Sequence, residues 1–319
     1  MLDHVHIKHF LLFDNLSIGG LKQVNLFAGM NNSGKTILLE ALRIWAAKGD
    51  TTVINHFLAQ RGQFTPGWSE SYDALFHRPS LALHHNGDKL QAEINELNII
   101  RHTSKNFNPY CETFWSGQEL KPNLDASIPA DYPKDAAIFV PFGKEARFPL
   151  FQLWDKIVLT PGEDDVMHIL RETVLPGLIR LDVNKDRTLV RVKDEAAPLP
   201  LQNFGDGVQR MLLLAVALVS AKGKMLLIDE VETGLHHSVL EVFWDKIFSK
   251  ARKWDIQVFA TTHSHDAVKT FAYVLEKPEN AGRGAYYRLQ QNRKTGAIEA
   301  VDYNLEDLEL SLEANLEPR

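Results

Sequence analysis

With 319 residues, 41 acidic against 35 basic side chains and a net charge of −6, the chain can build a substantial core and has no general electrostatic grip on nucleic acid. Its one cysteine, Cys111, excludes an intramolecular disulfide and points to a reducing, cytoplasmic setting. The N-terminal stretch lacks a signal-peptide pattern, and the longest apolar run, Met211 to Val219, falls well short of the roughly 20 residues that span a bilayer.

The first residues, HVHIKHFLLF, alternate apolar and polar, and LKQVNLFAGM then reads as a buried strand ending in glycine. From Lys35 the period changes to that of a helix through Ile37, Leu38, Ala41, Leu42 and Trp45. Between about Thr51 and Thr160 the pattern is mixed. SLALHHNGDKLQAEIN predicts a hairpin turning at Asn86-Gly87, and Pro109, Pro122, Pro129, Pro133 and Pro141 punctuate loops and short strands. GEDDVMHILRETVLPGLIRL predicts a helix with acids in its first turn and Arg171 and Arg180 toward its end, followed by a hairpin through LDVNKDRTLVRVKD.

After Gln202 helix and strand alternate through VQRMLLLAVALVSA, KMLLIDE, SVLEVFWDKIFSKARKW and IQVFATTHS. Such alternation predicts a parallel sheet with helices on its faces. The expectation is therefore an α/β unit: an N-terminal lobe over residues 1–50, a mixed α+β region over 51–200 within the same unit, and a C-terminal lobe over 201–319. No sustained heptads predict a long coiled-coil arm.

GMNNSGKT, Gly29 to Thr36, fits G-x-x-x-x-G-K-[ST] between a predicted strand and a predicted helix. The pattern points Gly29, Asn31, Asn32, Ser33, Gly34, Lys35 and Thr36 at phosphate: backbone amides and the helix N-terminus cradle the oxygens, Lys35 reaches the β/γ-phosphates, and the Thr36 hydroxyl joins the Mg²⁺ shell. KMLLIDE delivers Asp229 and Glu230 at the end of a buried strand, where α/β sheets hold their ligands. Asp229 suits the Mg²⁺-anchoring acid, and Glu230 a general base for water. FATTHSHD places His263 and His265 past another apolar strand, in reach of a γ-phosphate or its attacking water.

A second glycine-rich helix entrance, Gly205-Asp206-Gly207, precedes Gln209 and Arg210. Within one molecule it is redundant as a phosphate site; it makes sense if it caps the nucleotide of another copy.

The order of phosphate loop, glycine-rich signature, acid-ended strand and histidine strand resembles the ABC/SMC-type ATPase heads. VNLFAGMNNSGKTILLEAL and LLIDEVETGLHHSVL are most similar to its RecF/OLD-like branch, as is the closing stretch from Tyr286. The resemblance covers the first fifty residues and those after about Leu199. It implies an ABC-type P-loop fold with a mixed sheet and ATP hydrolysis with Mg²⁺. It further implies a head-to-tail dimer or higher oligomer sandwiching ATP between one copy's phosphate loop and the other's Gly205, Asp206 and Gly207. Lys35, Glu230 and His263 would then be the catalytic residues, Thr36 and Asp229 the metal-binding ones, and Glu232 to His236 the loop that communicates across the dimer. Transporter-type signatures carry a serine before two glycines, so Gly205-Asp206-Gly207 reads as a branch marker with a bearing on hydrolysis rate. Gln60 and Gln63 are candidates for the glutamine loop by distance alone.

No C-terminal TOPRIM nuclease is expected after the histidine strand, so the resemblance implies a separate effector, a TOPRIM-type nuclease and anti-phage defence being one setting. The rival is a RecF-like DNA-binding repair ATPase, against which the acidic charge weighs. A transporter subunit fits the signature poorly, and Asn184-Lys185-Asp186-Arg187 lacks the aspartate that guanine recognition needs. His4 and His6, His84-His85 and His236-His237 are read as surface residues, not zinc ligands.

Overall fold

Period-two burial sorts the strands of the central sheet into two cores. The computed structural model describes residues 1–47, 53, 90–94, 97–102, 110–115, 118–120, 137–142, 149–185 and 187–313. The strands are β1 (His4–Phe10), β2 (Phe13–Gly19), β3 (Val24–Ala28), β4 (Leu90–Ile94), β5 (Leu97–His102), β6 (Tyr110–Trp115), β7 (Gln118–Leu120), β8 (Ala137–Val140), β9 (Leu178–Val183), β10 (Thr188–Val192), β11 (Leu199–Pro200), β12 (Met225–Ile228), β13 (Gln257–Thr262), β14 (Gly284–Gln291) and β15 (Ile298–Tyr303). The helices are α1 (Lys35–Ala46), α2 (Leu150–Asp155), α3 (Pro161–Thr173), α4 (Asp206–Ser220), α5 (His237–Trp254), α6 (His265–Leu275) and α7 (Leu305–Glu313).

The central sheet runs β15-β14-β3-β13-β12-β8, with β14, β3, β13, β12 and β8 parallel and β15 antiparallel at one edge. Val24, Leu26, Val258, Ala260, Leu226, Ile228, Ile138 and Val140 point into one core, shared with α3 to α6. Phe27, Phe259, Leu227 and Phe139 point into the other, shared with α1 and the β1–β2 hairpin. Both faces are covered, which is why these strands read as unbroken apolar runs rather than alternating ones. Phe27 stacks on Tyr287 and Phe259 of the neighbouring strands, at 5.1 and 6.4 Å between ring centroids.

A second sheet, β2-β1-β4-β5-β6-β7, is antiparallel, and β9, β10 and β11 form a third. Helix α4 is apolar nearly all round, and its ten buried residues place it inside the first core rather than on a surface. No helix among the described residues is long and apolar enough to cross a membrane.

One sequence expectation is corrected. The helix predicted to run to Arg180 ends at Thr173, and Arg180 lies on β9. Thr160 caps its start by accepting from the Gly162 amide at 3.1 Å, with Glu163 and Asp164 in the first turn. Pro176 stops it, because the residue before a proline is pushed out of helical geometry. Arg171 then ties the helix to the strand by donating to the Leu178 carbonyl at 2.7 Å. The Asn86-Gly87 turn, Gln60 and Gln63 lie outside the described residues.

Candidate nucleotide site

In a parallel sheet all strands end at one edge, and here that edge collects the chemistry. β3 runs into Gly29–Thr36, β12 into Asp229-Glu230, β13 into His263, and β8 into Pro141. Because β13 lies between β3 and β12, the phosphate loop and the acid pair flank the histidine strand.

The loop after β3 turns into α1 at Gly34, whose φ of +90° lies in the left-handed region. A Cβ there would sit 2.7 Å from the Phe13 ring, so the glycine is required by both backbone and packing. α1 has neither a side-chain cap nor an acid in its first turn, which leaves its N-terminal amides for another acceptor. Lys35 is buried, and its Nζ donates to the Gly29 and Met30 carbonyls at 2.8 and 2.9 Å. Burial pushes the Lys35 pKa down, opposed by the charges of Glu230, Asp229 and Glu232. The Ser33 hydroxyl is buried with no hydrogen-bond partner. A buried donor left over beside free amides is what a phosphate-binding loop requires.

Thr36 Oγ1 donates to Asp229 Oδ2 at 2.9 Å, bringing the end of β12 to the start of α1. Thr261, on β13, donates its hydroxyl to Asp229 Oδ1 at 2.6 Å and accepts from the Glu230 amide at 2.9 Å. Asp229 is thus oriented from both sides. Among the described residues no group of three or more His, Cys, Asp or Glu is placed to hold a metal. For a cation bound between β12 and α1, Asp229 and Thr36 would offer one carboxylate and one hydroxyl, both hard oxygens. That set fits Mg²⁺, which usually takes one or two carboxylates and fills its octahedron from phosphate and water.

Glu230 has φ +48°, left-handed geometry that costs a non-glycine residue about 1–2 kcal/mol. Its carboxylate lies beside the histidine: Glu230 Oε1 is 3.3 Å from His263 Nδ1. Burial raises the Glu230 pKa, opposed by His263 and reinforced by the neighbouring Glu232 and Asp229. His263 is also 3.1 Å from Glu232 Oε1, whereas His265 opens α6.

Gly205 (φ +85°) precedes α4, and Asp206 is its first residue, exposed. A Cβ on Gly207 would lie 2.7 Å from the Gly234 carbonyl oxygen, so the helix entrance rests directly on the Glu232–His236 loop of the same chain. One turn on, buried Arg210 donates to the carbonyls of Pro141 (2.9 Å), Asp229 (2.8 Å) and Glu230 (3.2 Å). Arg210 and Thr261 are the partners that sequence reading missed. Their targets are backbone atoms or a hydroxyl-to-acid contact set by strand register, and no motif spacing announces either. Asn31 and Asn32 lie exposed in the phosphate loop, Asn32 with φ +66°.

The family model described as "AAA domain, putative AbiEii toxin, Type IV TA system" matches residues 71–268, which include the acid-ended strand, the glycine-rich entrance and His263 but not the phosphate loop. A Helicobacter pylori protein named "ATP/GTP phosphatase" is 24% identical over 92% of this chain and 93% of its own length. Among solved structures, an SMC head bound to the C-terminal winged-helix domain of ScpA aligns with a TM-score of 0.58 at 14% identity, covering 95% of this chain and 98% of that one. The SMC head domain from Thermotoga maritima aligns at 0.51 and 15% identity, covering 95% and 99%. At such identities these structures establish the fold alone, that of an SMC head domain, with no coiled coil among the described residues.

Proposed function

Since the chain belongs to the AAA-domain family described as a putative AbiEii toxin of a type IV toxin–antitoxin system, we propose that it is a Mg²⁺-dependent ATP phosphohydrolase acting as a nucleotide-gated, head-to-tail pair. The observation that carries the reading is the meeting of Thr36, Asp229, Thr261, Glu230 and His263 where three adjacent parallel strands end.

Lys35 would exchange its loop carbonyls for the β/γ-phosphate oxygens, a trade of neutral acceptors for charged ones that favours the bound state. Thr36 and Asp229 would hold Mg²⁺, which when bound neutralises charge developing on the phosphates. Glu230 accepts a proton from water as the water oxygen bonds to the γ-phosphorus and the bond to the β-bridging oxygen breaks, giving ADP and phosphate. His263 contacts the γ-phosphate or that water. The exposed entrance at Gly205-Asp206-Gly207 is the surface offered to the nucleotide of the second copy. ATP then acts as a switch by binding the closed pair better than the open one. The output we propose is control of a separate effector. On the resemblance to the RecF/OLD-like branch, we propose a nuclease as that effector and anti-phage defence as the setting.

The test is phosphate release from Mg·ATP and Mg·GTP, the latter because the Helicobacter relative is named for both nucleotides. Wild type turns over, while Glu230→Gln binds ATP and releases phosphate on the order of 100-fold more slowly. Bound nucleotide without turnover, or Glu230→Gln at the wild-type rate, contradicts the reading. Asp206→Arg is expected to block ATP-dependent association while sparing nucleotide binding by the single chain; normal association removes the capping role.

A further inference from the structure

The loop after β12 holds a third acid, Glu232, whose contacts go to His263 rather than to the phosphate loop. Its side chain is 10% exposed. Its Oε1 accepts the backbone N–H of His263 at 2.9 Å and lies 3.1 Å from His263 Nδ1. Its second oxygen, Oε2, is buried with no hydrogen-bond partner. Placing a carboxylate there costs desolvation that two contacts to one residue only partly offset. A residue kept for packing would be better served by an apolar side chain.

We infer that Glu232 is a positioning residue: it clamps His263 by backbone and ring together, so that Nδ1 faces inward carrying a proton and Nε2 is the nitrogen presented to the nucleotide. Nδ1 faces two carboxyl oxygens, Glu232 Oε1 at 3.1 Å and Glu230 Oε1 at 3.3 Å, and a carboxylate oxygen is an acceptor. A proton on Nδ1 makes both contacts attractive. A carboxylate that fixes the tautomer of a working imidazole is a recurring device, since the ring's outer nitrogen is defined by what the inner one bonds.

The same contact has a mechanical consequence. The Glu232 carbonyl accepts from the Leu235 amide at 2.9 Å, closing the turn whose Gly234 carbonyl supports Gly207. His263 is thereby tied to the loop beneath the second helix entrance. The half-exposed ring is steered from the face that we assign to the other copy.

The kinetic part rests on the ATPase reading; the tautomer does not. Nitrogen-15 NMR of the imidazoles in the nucleotide-free protein, with the His263 signal identified by its loss in His263→Ala, should show Nδ1–H. A wild-type ring protonated on Nε2 instead overturns the inference whether or not the protein hydrolyses ATP. In turnover, Glu232→Ala should lower kcat about 10- to 100-fold and leave KM within about threefold. Glu232→Ala/His263→Ala should be no slower than His263→Ala alone. Unchanged kcat in Glu232→Ala, or losses that multiply in the double variant, contradict the clamp. Glu232→Gln keeps an oxygen for the His263 amide and serves if the alanine variant does not fold; it should show a smaller kcat loss, and a full wild-type rate overturns the clamp.

Discussion

Among the described residues, α1 and α4 each begin at a glycine of positive φ with no side-chain cap, and their first turns differ. α1 starts at Gly34 with Ser33 and Lys35 buried and no acid in its first turn. α4 starts at Gly205 with Asp206 exposed as its first residue, so a carboxylate already complements the dipole. The first entrance, which we assign to phosphate, packs its Gly34 against the Phe13 ring. The second is an open lip that rests on Gly234, while Arg210, one turn along the same helix, holds the carbonyls of Asp229 and Glu230. A glycine-rich helix start therefore does not define a role; what surrounds the first turn does.

The largest effect that would separate the two is at Lys35. Lys35→Ala removes the cation of the Gly29–Thr36 loop, and about 3 kcal/mol of charge-assisted contact goes with it, roughly 100-fold in Kd. Titration with a fluorescent ATP analogue checks this, and unchanged affinity would sink the phosphate-loop assignment. Arg210→Met should come next, through stability. It takes the guanidinium donors from the Pro141 and Asp229 carbonyls and leaves the Glu230 carbonyl only the Thr233 amide, at a cost of about 2–3 kcal/mol by urea unfolding, and turnover should fall as the Glu230 turn loosens. A melt and rate equal to wild type would show that Arg210 supports neither.

Gly207→Ala sharpens the contrast further. Its Cβ meets a backbone oxygen at 2.7 Å, so the entrance must shift, at about 1–3 kcal/mol. Nucleotide binding to the single chain should persist while ATP-dependent association weakens; loss of binding instead would make the two entrances one unit. The smallest effect expected is from Asp206→Asn, which gives up about 0.3–1 kcal/mol of dipole complement at an exposed position. A thermal melt at low and high salt reads it, the difference shrinking with salt.

Much of this architecture was legible because burial on both faces leaves unbroken apolar strands, and Leu226–Ile228 and Val258–Ala260 show them plainly. Strand ends then fixed where Asp229, Glu230 and His263 would sit. Arg180 was misplaced because acids and bases kept a helix-like order across Pro176, while the proline alone carried the stop. Thr261 and Arg210 stayed hidden for another reason. A strand threonine and a helix arginine are ordinary in sequence, and only the register of β12 against β13 and the tilt of α4 bring them onto Asp229 and the carbonyls beside it. Glu232 was visible as part of the loop after β12, but its hold on His263 spans 31 residues of chain.

The pairing of one copy's cradle with another copy's lip is tested most directly by the solution mass of Glu230→Gln, measured by light scattering with and without Mg·ATP. Arrested before hydrolysis, the protein should move from the mass of one chain to that of two when ATP is added, and Asp206→Arg in the same background should hold it at one. A mass that stays at one chain at saturating ATP would contradict the account.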